Sequence, residues 1–384
     1  MEYNPVELKS LDWEGKDSHV LINPRIPDYA RIHHDLKKLP VEGHLVVATS
    51  GSRGEKWVLL SKKAILTSAS AVNERIELSS ADSWAHPLPD FHVGGIGVWA
   101  RCHLAGIEVH DFKETSKKWD AGLFTDFLDK RGSTITSLVP TMLYDLVSKH
   151  LTAPSSLRLA VIGGGKLDKT LRKKAENLGW RCVESYGMTE CASQVASAPE
   201  PNDELTLYSH VKAKINEDGF ICIKSPSLFT GYIQFGKELS ILDPRKEGWF
   251  QTEDLGQMTG NTLKILGRRD DYVKIGGEGI SMYRLEEVLT SIKYEFNIKT
   301  DMTLVAVPDE RLGHKIVLAV INDDTLKLLM ILEEFQKRVM PFARVREVVK
   351  VEKIPRSHLH KVQKNELLRL VSMQQGSNAS KQIL

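Results

Sequence analysis

Apolar positions along the chain fall into short continuous or alternating runs, read as strands, and into runs at three- and four-residue spacing, read as helices. Up to about residue 40 the chain is polar, and Asn23-Pro24 and Ile26-Pro27 break any regular element. His44–Ala48 is the first run with the character of a buried strand. Trp84–Gly106 opens as proline-broken chain and closes as an apolar helical run whose single charge is Arg101. Then come a strand at Thr134–Val139, a helix from Pro140 to about His150, and a strand at Leu157–Gly165 that ends in three glycines. Asp168 can cap the next helix, to Leu178, and Arg181–Ser185 is a further strand. Strand, loop, helix and strand in that order predict a parallel sheet covered by helices, with ligands at the carboxyl ends of its strands. Gly219–Ile233 alternates like an antiparallel hairpin. Glu253-Asp254 reads as an acidic turn, and Leu263–Leu266 as a half-buried strand stopped by Gly267. The four charges Arg268, Arg269, Asp270 and Asp271 would be costly to bury unpaired, so they mark a surface joint where the chain can bend. After Tyr272–Ile275 and a glycine run, Leu285, Val288 and Leu289 share one helical face. Strands at Met302–Val307, Ile316–Ile321 and Glu347–Val351 with an amphipathic helix at Leu326–Arg338 complete a small α+β domain. The expected fold is therefore α/β: a large domain over 1–269, β-rich near 205–265, followed by a small α+β domain over 270–384.

Composition narrows the partners. A hydrophobic content of 41% over 384 residues is ample for soluble cores. With 52 Lys and Arg against 50 Asp and Glu, the net charge of +2 points to neither a nucleic acid nor an acidic membrane surface. Cys102, Cys182, Cys191 and Cys222 lie scattered without a CxxC pair. The start lacks a basic end followed by an apolar run, so a reducing cytoplasm is expected. No uncharged stretch is long enough to cross a bilayer as a helix.

Several short segments carry chemistry. Thr49-Ser50-Gly51-Ser52-Arg53-Gly54 is a hydroxyl and glycine loop whose N–H groups can wrap a polyphosphate, although it is not a GxxxxGK[ST] loop. Tyr186-Gly187-Met188-Thr189-Glu190 follows a strand. It supplies a ring to stack on adenine, a glycine for close approach, a hydroxyl, and a carboxylate for Mg²⁺. Gly276-Gly277-Glu278-Gly279 permits backbone that side chains would block. Arg101 requires an anion. A lone His92 is ordinarily a satisfied core histidine, and a lone Lys361 an ordinary solvated charge. Gly95 and Gly97 lack the third glycine of a dinucleotide fingerprint.

Taken together, GWFQTEDLG, LGRRDDYVKIGGEGI, LEEVL, YGMTE and GFICIKSPSLFTGYI stand in the order of, and resemble, the adenylate-forming acyl/aryl-CoA synthetases over roughly Val46 to Leu370. LPDFHVGG and ITSLVPTMLYDLV are similar to the branch that acts on o-succinylbenzoate in menaquinone biosynthesis. The resemblance implies an enzyme using ATP, Mg²⁺ and coenzyme A, with a mobile C-terminal domain that turns at Asp270. ATP would be bound by Thr49, Ser50, Gly51, Ser52, Gly54, Gly163, Gly164, Gly165, Ser185, Tyr186, Gly187, Met188, Thr189, Asp254 and Arg268. The acid would meet His92, Arg101, Gly164 and Thr189. Glu190 would hold the metal. Lys361 would be the catalytic lysine, assisted by His92 and Glu190, and Lys274, Gly276, Gly277 and Gly279 would line the coenzyme A side. Departures are Arg53 in place of a hydroxyl residue, Glu55-Lys56-Trp57 where a Pro-Lys-Gly segment is usual, and His360 where glycine is usual. Only 48 residues precede Thr49, so much of the first subdomain is expected to be missing. A homodimer is one expected assembly. A ligase for another aryl or fatty acid, transfer to a carrier protein, and a catalytically impaired nucleotide-binding relative are the alternatives.

Overall fold

A computed structural model describes residues 8–24, 26, 29–51, 54–116, 118–198, 204–236, 238–321, 325–356 and 362–377. The chain divides into two compact units, one of residues 1–167, 171–252 and 256–264, the other of 168–170, 253–255 and 265–384. The path begins with β1 (His19–Leu21), α1 (Tyr29–Leu36), β2 (His44–Gly51), β3 (Gly54–Ser61) and α2 (Lys62–Arg75). It continues through β4 (Ser83–His86), α3 (Val93–Ala105), β5 (Glu108–Asp111), α4 (Ala121–Arg131), β6 (Ile135–Leu138), α5 (Pro140–Ser148), β7 (Leu159–Ile162), α6 (Lys169–Glu176) and β8 (Cys182–Met188). A run of strands follows: β9 (Ser193–Ser197), β10 (Leu205–Leu207), β11 (Lys212–Ile215), β12 (Phe220–Lys224), β13 (Gly231–Gln234), β14 (Ser240–Leu242), β15 (Phe250–Thr259) and β16 (Thr262–Arg268).

Two sheets result, one ordered β1-β2-β3-β13-β14 and one ordered β11-β12-β15-β16-β10-β9-β8-β7-β6-β4-β5. Within the second, β5, β4, β6, β7 and β8 are parallel neighbours; β6, β7 and β8 are the strands that the apolar runs predict, whereas β4 takes up chain expected to be proline-broken and β5 is an addition. All four residues of β6 are buried, which a central strand covered on both faces requires. The helices between them are cut by local chemistry. Asp120 Oδ1 accepts from Leu123 N at 2.9 Å to start α4, and Gly106 (φ 63°) and Gly132 (φ 60°) end α3 and α4 in the left-handed region.

Four expectations are corrected. The described part of the first forty residues is not irregular: β1 pairs parallel with β2, and Val20, Ile22 and Leu36 join Val46, Trp57 and Leu59 in one core cluster. Gly219–Ile233 is not a hairpin, because β12 pairs with β11 while β13 pairs with β3 and β14 in the other sheet. Glu253-Asp254 is not a turn but the middle of β15. Gly267 does not stop β16, which reaches Arg268.

The amino ends of the parallel strands are fastened by an ion pair. Arg158 donates from Nε to Asp82 Oδ1 at 2.7 Å and from Nη2 to Oδ2 at 2.9 Å, and Thr134 Oγ1 gives Asp82 Oδ1 a third bond at 2.8 Å. Arg158 holds the carboxyl of buried Asp82 far below the usual carboxylate range. Removing one partner of such a pair strands the other, so Asp82→Ala should lower stability by about 3 kcal/mol. A carboxyl depressed on folding contributes stability that is present above its unfolded value of about 3.9 and is lost as the pH falls below it. Denaturant melts of native protein and variant at neutral and acid pH check both statements, and the gap between the two should shrink in acid.

The second unit contains β17 (Tyr272–Ile275), β18 (Glu278–Ser281), α7 (Met282–Glu295), β19 (Met302–Asp309), β20 (Gly313–Val320), α8 (Thr325–Arg338), β21 (Val345–Lys350) and α9 (Lys364–Ser377). Alternation along β20 divides its core. Ile316, Leu318 and Val320 meet Leu289, Ile292 and Phe335 of α7 and α8, while Val317 and Ala319 meet Leu367 and Val371 of α9.

Candidate active site

The parallel strands bring the glycine run and the YGMTE segment to one edge. Gly163, Gly164 and Gly165 follow β7, where Gly164 has φ 76° and a Cβ on Gly163 would lie 2.9 Å from Ser185 Oγ. Tyr186, Gly187 and Met188 are the last residues of β8, and Thr189 and Glu190 open the 3-10 turn Thr189–Cys191. Gly187 is needed for a neighbouring strand: β8 and β9 slip register there, and a Cβ would stand 1.7 Å from Ser193 O. The chain then passes through Ala192 (φ 50°) and Ser193 (φ 100°), left-handed conformations that each cost about 1–3 kcal/mol at a non-glycine residue. This strained corner puts two polar groups to use. Glu190 O accepts from Phe229 N at 2.8 Å, and Glu190 Oε1 accepts from Tyr232 Oη at 2.7 Å.

Tyr232 is a residue that sequence reasoning did not single out. It lies on β13 opposite Val58, and the β2–β3 ladder pairs Thr49 with Lys56. Period-two alternation therefore sets Thr49, Lys56, Val58 and Tyr232 on one face of the five-stranded sheet. On that face the Lys56 ammonium lies 5.6 Å from the centre of the Tyr232 ring. Trp57 points the other way, into the core with Leu59 and Ile233. The phosphate-loop candidates Thr49, Ser50 and Gly51 belong to β2 and Gly54 to β3, so they are arms of a hairpin rather than an open loop. Ser52 and Arg53 lie outside the described residues.

His92 precedes the first turn of α3, at the end of a turn from the carboxyl end of β4. Arg101, in the same helix, is 2% exposed. Its Nη2 donates to Ser193 Oγ at 3.3 Å, its guanidinium carbon is 5.3 Å from the Trp84 ring centre, and its Nε has no hydrogen-bond partner among the described residues. No carboxylate pairs with it among the described residues. Burial pulls its pKa down to about 10. Gly97 lies one turn back, where a Cβ would be 3.0 Å from Nη2.

A separate group of predicted residues lies in the second unit. Arg268 Nε donates to Asp254 Oδ1 at 3.0 Å, and Asp254 is only 7% exposed. Asp270 is in the 3-10 turn Arg269–Asp271, whose Asp271 binds Lys364. Lys274 is exposed on β17; Gly276 (φ 59°) and Gly277 (φ 90°) form the turn into β18, which contains Gly279. Lys361 and His360 lie outside the described residues.

A parallel α/β sheet with glycine and YGMTE loops at its carboxyl edge, in a chain that also carries a small α+β unit, defines the adenylate-forming class of enzymes. The family model described as AMP-binding enzyme matches residues 44–233. A 2-succinylbenzoate–CoA ligase of Listeria monocytogenes serotype 4b is 29% identical over 340 residues, covering 85% of this chain and 70% of its own. Among solved structures, an E. coli MenE variant with bound OSB-AMS is 26% identical with a TM-score of 0.69, covering 85% of this chain and 68% of that one. Bacillus subtilis o-succinylbenzoate coenzyme A synthetase in complex with ATP and magnesium ion matches at a TM-score of 0.73 and 21% identity, covering 94% and 81%. The match to the AMP-binding enzyme model spans just under half of this chain, and the relatives named here are the proteins that it resembles.

Proposed function

We propose that this protein is an ATP-dependent acid–CoA ligase acting on o-succinylbenzoate in menaquinone biosynthesis. The observation that carries the acid is Arg101, a buried guanidinium without a carboxylate partner among the described residues. A diacid substrate supplies the anion: one carboxylate reacts, and the other meets Arg101 directly or through the Ser193 hydroxyl or a water. His92 and Thr189 orient the reacting end beside Gly164. The carboxylate oxygen bonds to the α-phosphorus of ATP as the bond to pyrophosphate breaks; the coenzyme A thiol then bonds to the acyl carbon and AMP leaves. Asp254 accepts from the ribose hydroxyls with Arg268 beside it. Thr49, Ser50, Gly51, Ser52 and Gly54 bind the phosphates, and Lys56 adds a charge on the same sheet face. Gly163, Gly165, Ser185, Tyr186, Gly187 and Met188 enclose the adenosine.

Glu190 suits Mg²⁺. Its carboxylate takes one neutral donor, Tyr232, and no cationic side chain pairs with it among the described residues. No cluster of three His, Cys, Asp or Glu side chains that would hold a metal unaided occurs among the described residues, so Glu190 would hold the ion together with phosphate oxygens and water. Bound there, the ion supplies neutralisation of phosphate charge. Lys361 neutralises charge growing at the α-phosphoryl oxygens. A turn at Asp270, the boundary between domains 1–269 and 270–384, then exchanges it for Lys274 and the Gly276, Gly277 and Gly279 loop at the thiol. We further propose a cytoplasmic homodimer. Among the described residues no helix is long and apolar enough to cross a membrane, and the four cysteines are unbridged.

Pyrophosphate release with o-succinylbenzoate, ATP and coenzyme A tests the reading; release with other aryl or fatty acids but not with this one rejects the substrate. Asp254→Ala should weaken ATP binding by about 1.5–3 kcal/mol, the contribution of a hydrogen bond to a charged group. Calorimetry on the folded variant checks it, and unchanged ATP affinity removes Asp254 from the site.

A further inference from the structure

A second polar cluster stands beside the turn that carries His92. Asp90 Oδ1 accepts from His86 Nε2 and from Trp99 Nε1, both at 2.9 Å, and Asp90 Oδ2 pairs with Lys113. The donors come from three places: the last residue of β4, the second turn of α3, and the 3-10 turn Phe112–Glu114 that follows β5. His86 is fully buried, and burial holds it below the usual histidine range, so it is neutral and gives its one N–H to Asp90. The turn is pressed onto the helix it feeds. His92 N donates to Pro89 O at 3.2 Å, Ile96 N to His92 O at 3.0 Å, and a Cβ on Gly95 would lie 2.2 Å from Pro89 O. A carboxylate that gathers donors from strand, helix and loop fixes the middle of residues 87–92, hence the direction in which Phe91 and His92 leave it.

We propose that Asp90 is a positioning residue for acid binding: with His86, Trp99 and Lys113 it staples the 87–92 turn to α3 and so sets His92 toward the carboxylate substrate. The inference rests on the ligase reading for what His92 meets, and on the hydrogen bonds for the staple. It follows the logic of outer residues that orient a binding group, whose loss typically costs about ten- to a hundredfold.

The test compares Asp90→Ala, Asp90→Asn and Lys113→Met with the native enzyme. Asp90→Ala should raise the KM for the acid about tenfold while the KM for ATP stays within about twofold. Asp90→Asn, which keeps an oxygen for His86 and Trp99, should recover most of the loss, and Lys113→Met should shift the acid KM less than Asp90→Ala. A merely structural Asp90 would lower the melting temperature and raise both KM values together, and that result overturns the proposal. Amide hydrogen exchange supplies a readout independent of activity. In Asp90→Ala the amides of His92 and Ile96 should exchange about tenfold faster, with those of β6 unchanged. Unchanged exchange at His92 and Ile96 rejects the staple even if acid binding suffers. A native enzyme that adenylates no acid rejects the ligase reading instead, and exchange alone then decides the staple.

Discussion

Glu190→Gln is expected to slow adenylate formation by on the order of a hundredfold or more, the usual effect of deleting one charged group that acts on the transition state. The geometry gives the loss a specific form. Glutamine keeps an oxygen for the Tyr232 hydroxyl, which lies 2.7 Å from Glu190 Oε1, so the corner at Ala192 and Ser193 keeps its shape and the melting temperature should hold. What disappears is the negative charge that a hard cation needs. The Mg²⁺ concentration for half-maximal pyrophosphate release should therefore rise along with the fall in rate. Thioester formation from supplied acyl-adenylate should change by less than about twofold, because the charge being neutralised belongs to the pyrophosphate half of ATP. Tyr232→Phe, which frees the carboxylate without discharging it, should be the milder variant. Equal loss in both half-reactions, or an unaltered Mg²⁺ requirement, removes the metal role from Glu190.

In the parallel sheet β6, β7 and β8 were legible because each announces itself twice, by an apolar run and by the residues that end it, whereas the four-residue strands β4 and β5 have no such run and were missed. Leu157–Gly165 and Arg181–Glu190 became β7 and β8 with their ligand loops at one edge, as the strand–loop–helix order implied. The errors have a common cause, since period-two alternation states which residues share a face but not which strand lies alongside. β12 and β13 alternate well and are close in sequence, yet Ser225–Thr230 carries the chain from one sheet to the other. That transfer brings Tyr232 to Glu190, and nothing local to GFICIKSPSLFTGYI reveals it. Lys56 was hidden for the same reason. Val58 and Leu59 are both fully buried, so β3 shows no polar face from which to read that Trp57 turns to the core and Lys56 to the site. β1 escaped because three residues carry no periodicity, and its stability comes from pairing with β2. The charge at Arg101 was readable as an oddity of composition, and its fastening to Ser193 only from the fold.

Arg101→Leu should separate acids by their charge. Burial pulls the pKa of this guanidinium down to about 10, below the ordinary arginine range. A cationic group lowered in this way burdens the folded state at every pH below about 10, and the burden is relieved only as the pH rises into the ordinary arginine range. The Trp84 ring, 5.3 Å away, returns part of that as a cation–π interaction of about 2 kcal/mol when desolvated. Leucine removes both terms, so stability should change by less than about 1 kcal/mol or rise. Binding of the diacid should suffer far more, because the distal carboxylate then enters a desolvated site with no cation. Its KM should rise by about thirtyfold or more, the loss of one charge-assisted contact of about 2–3 kcal/mol. A matched monoacid lacking that carboxylate should bind the variant as well as it binds the native enzyme, with the KM for ATP unaltered. An Arg101 held for structure predicts the opposite pattern: a marked fall in melting temperature and no discrimination between the two acids. If Arg101→Leu raises both KM values alike, or if the native enzyme already prefers the monoacid, the substrate is not o-succinylbenzoate.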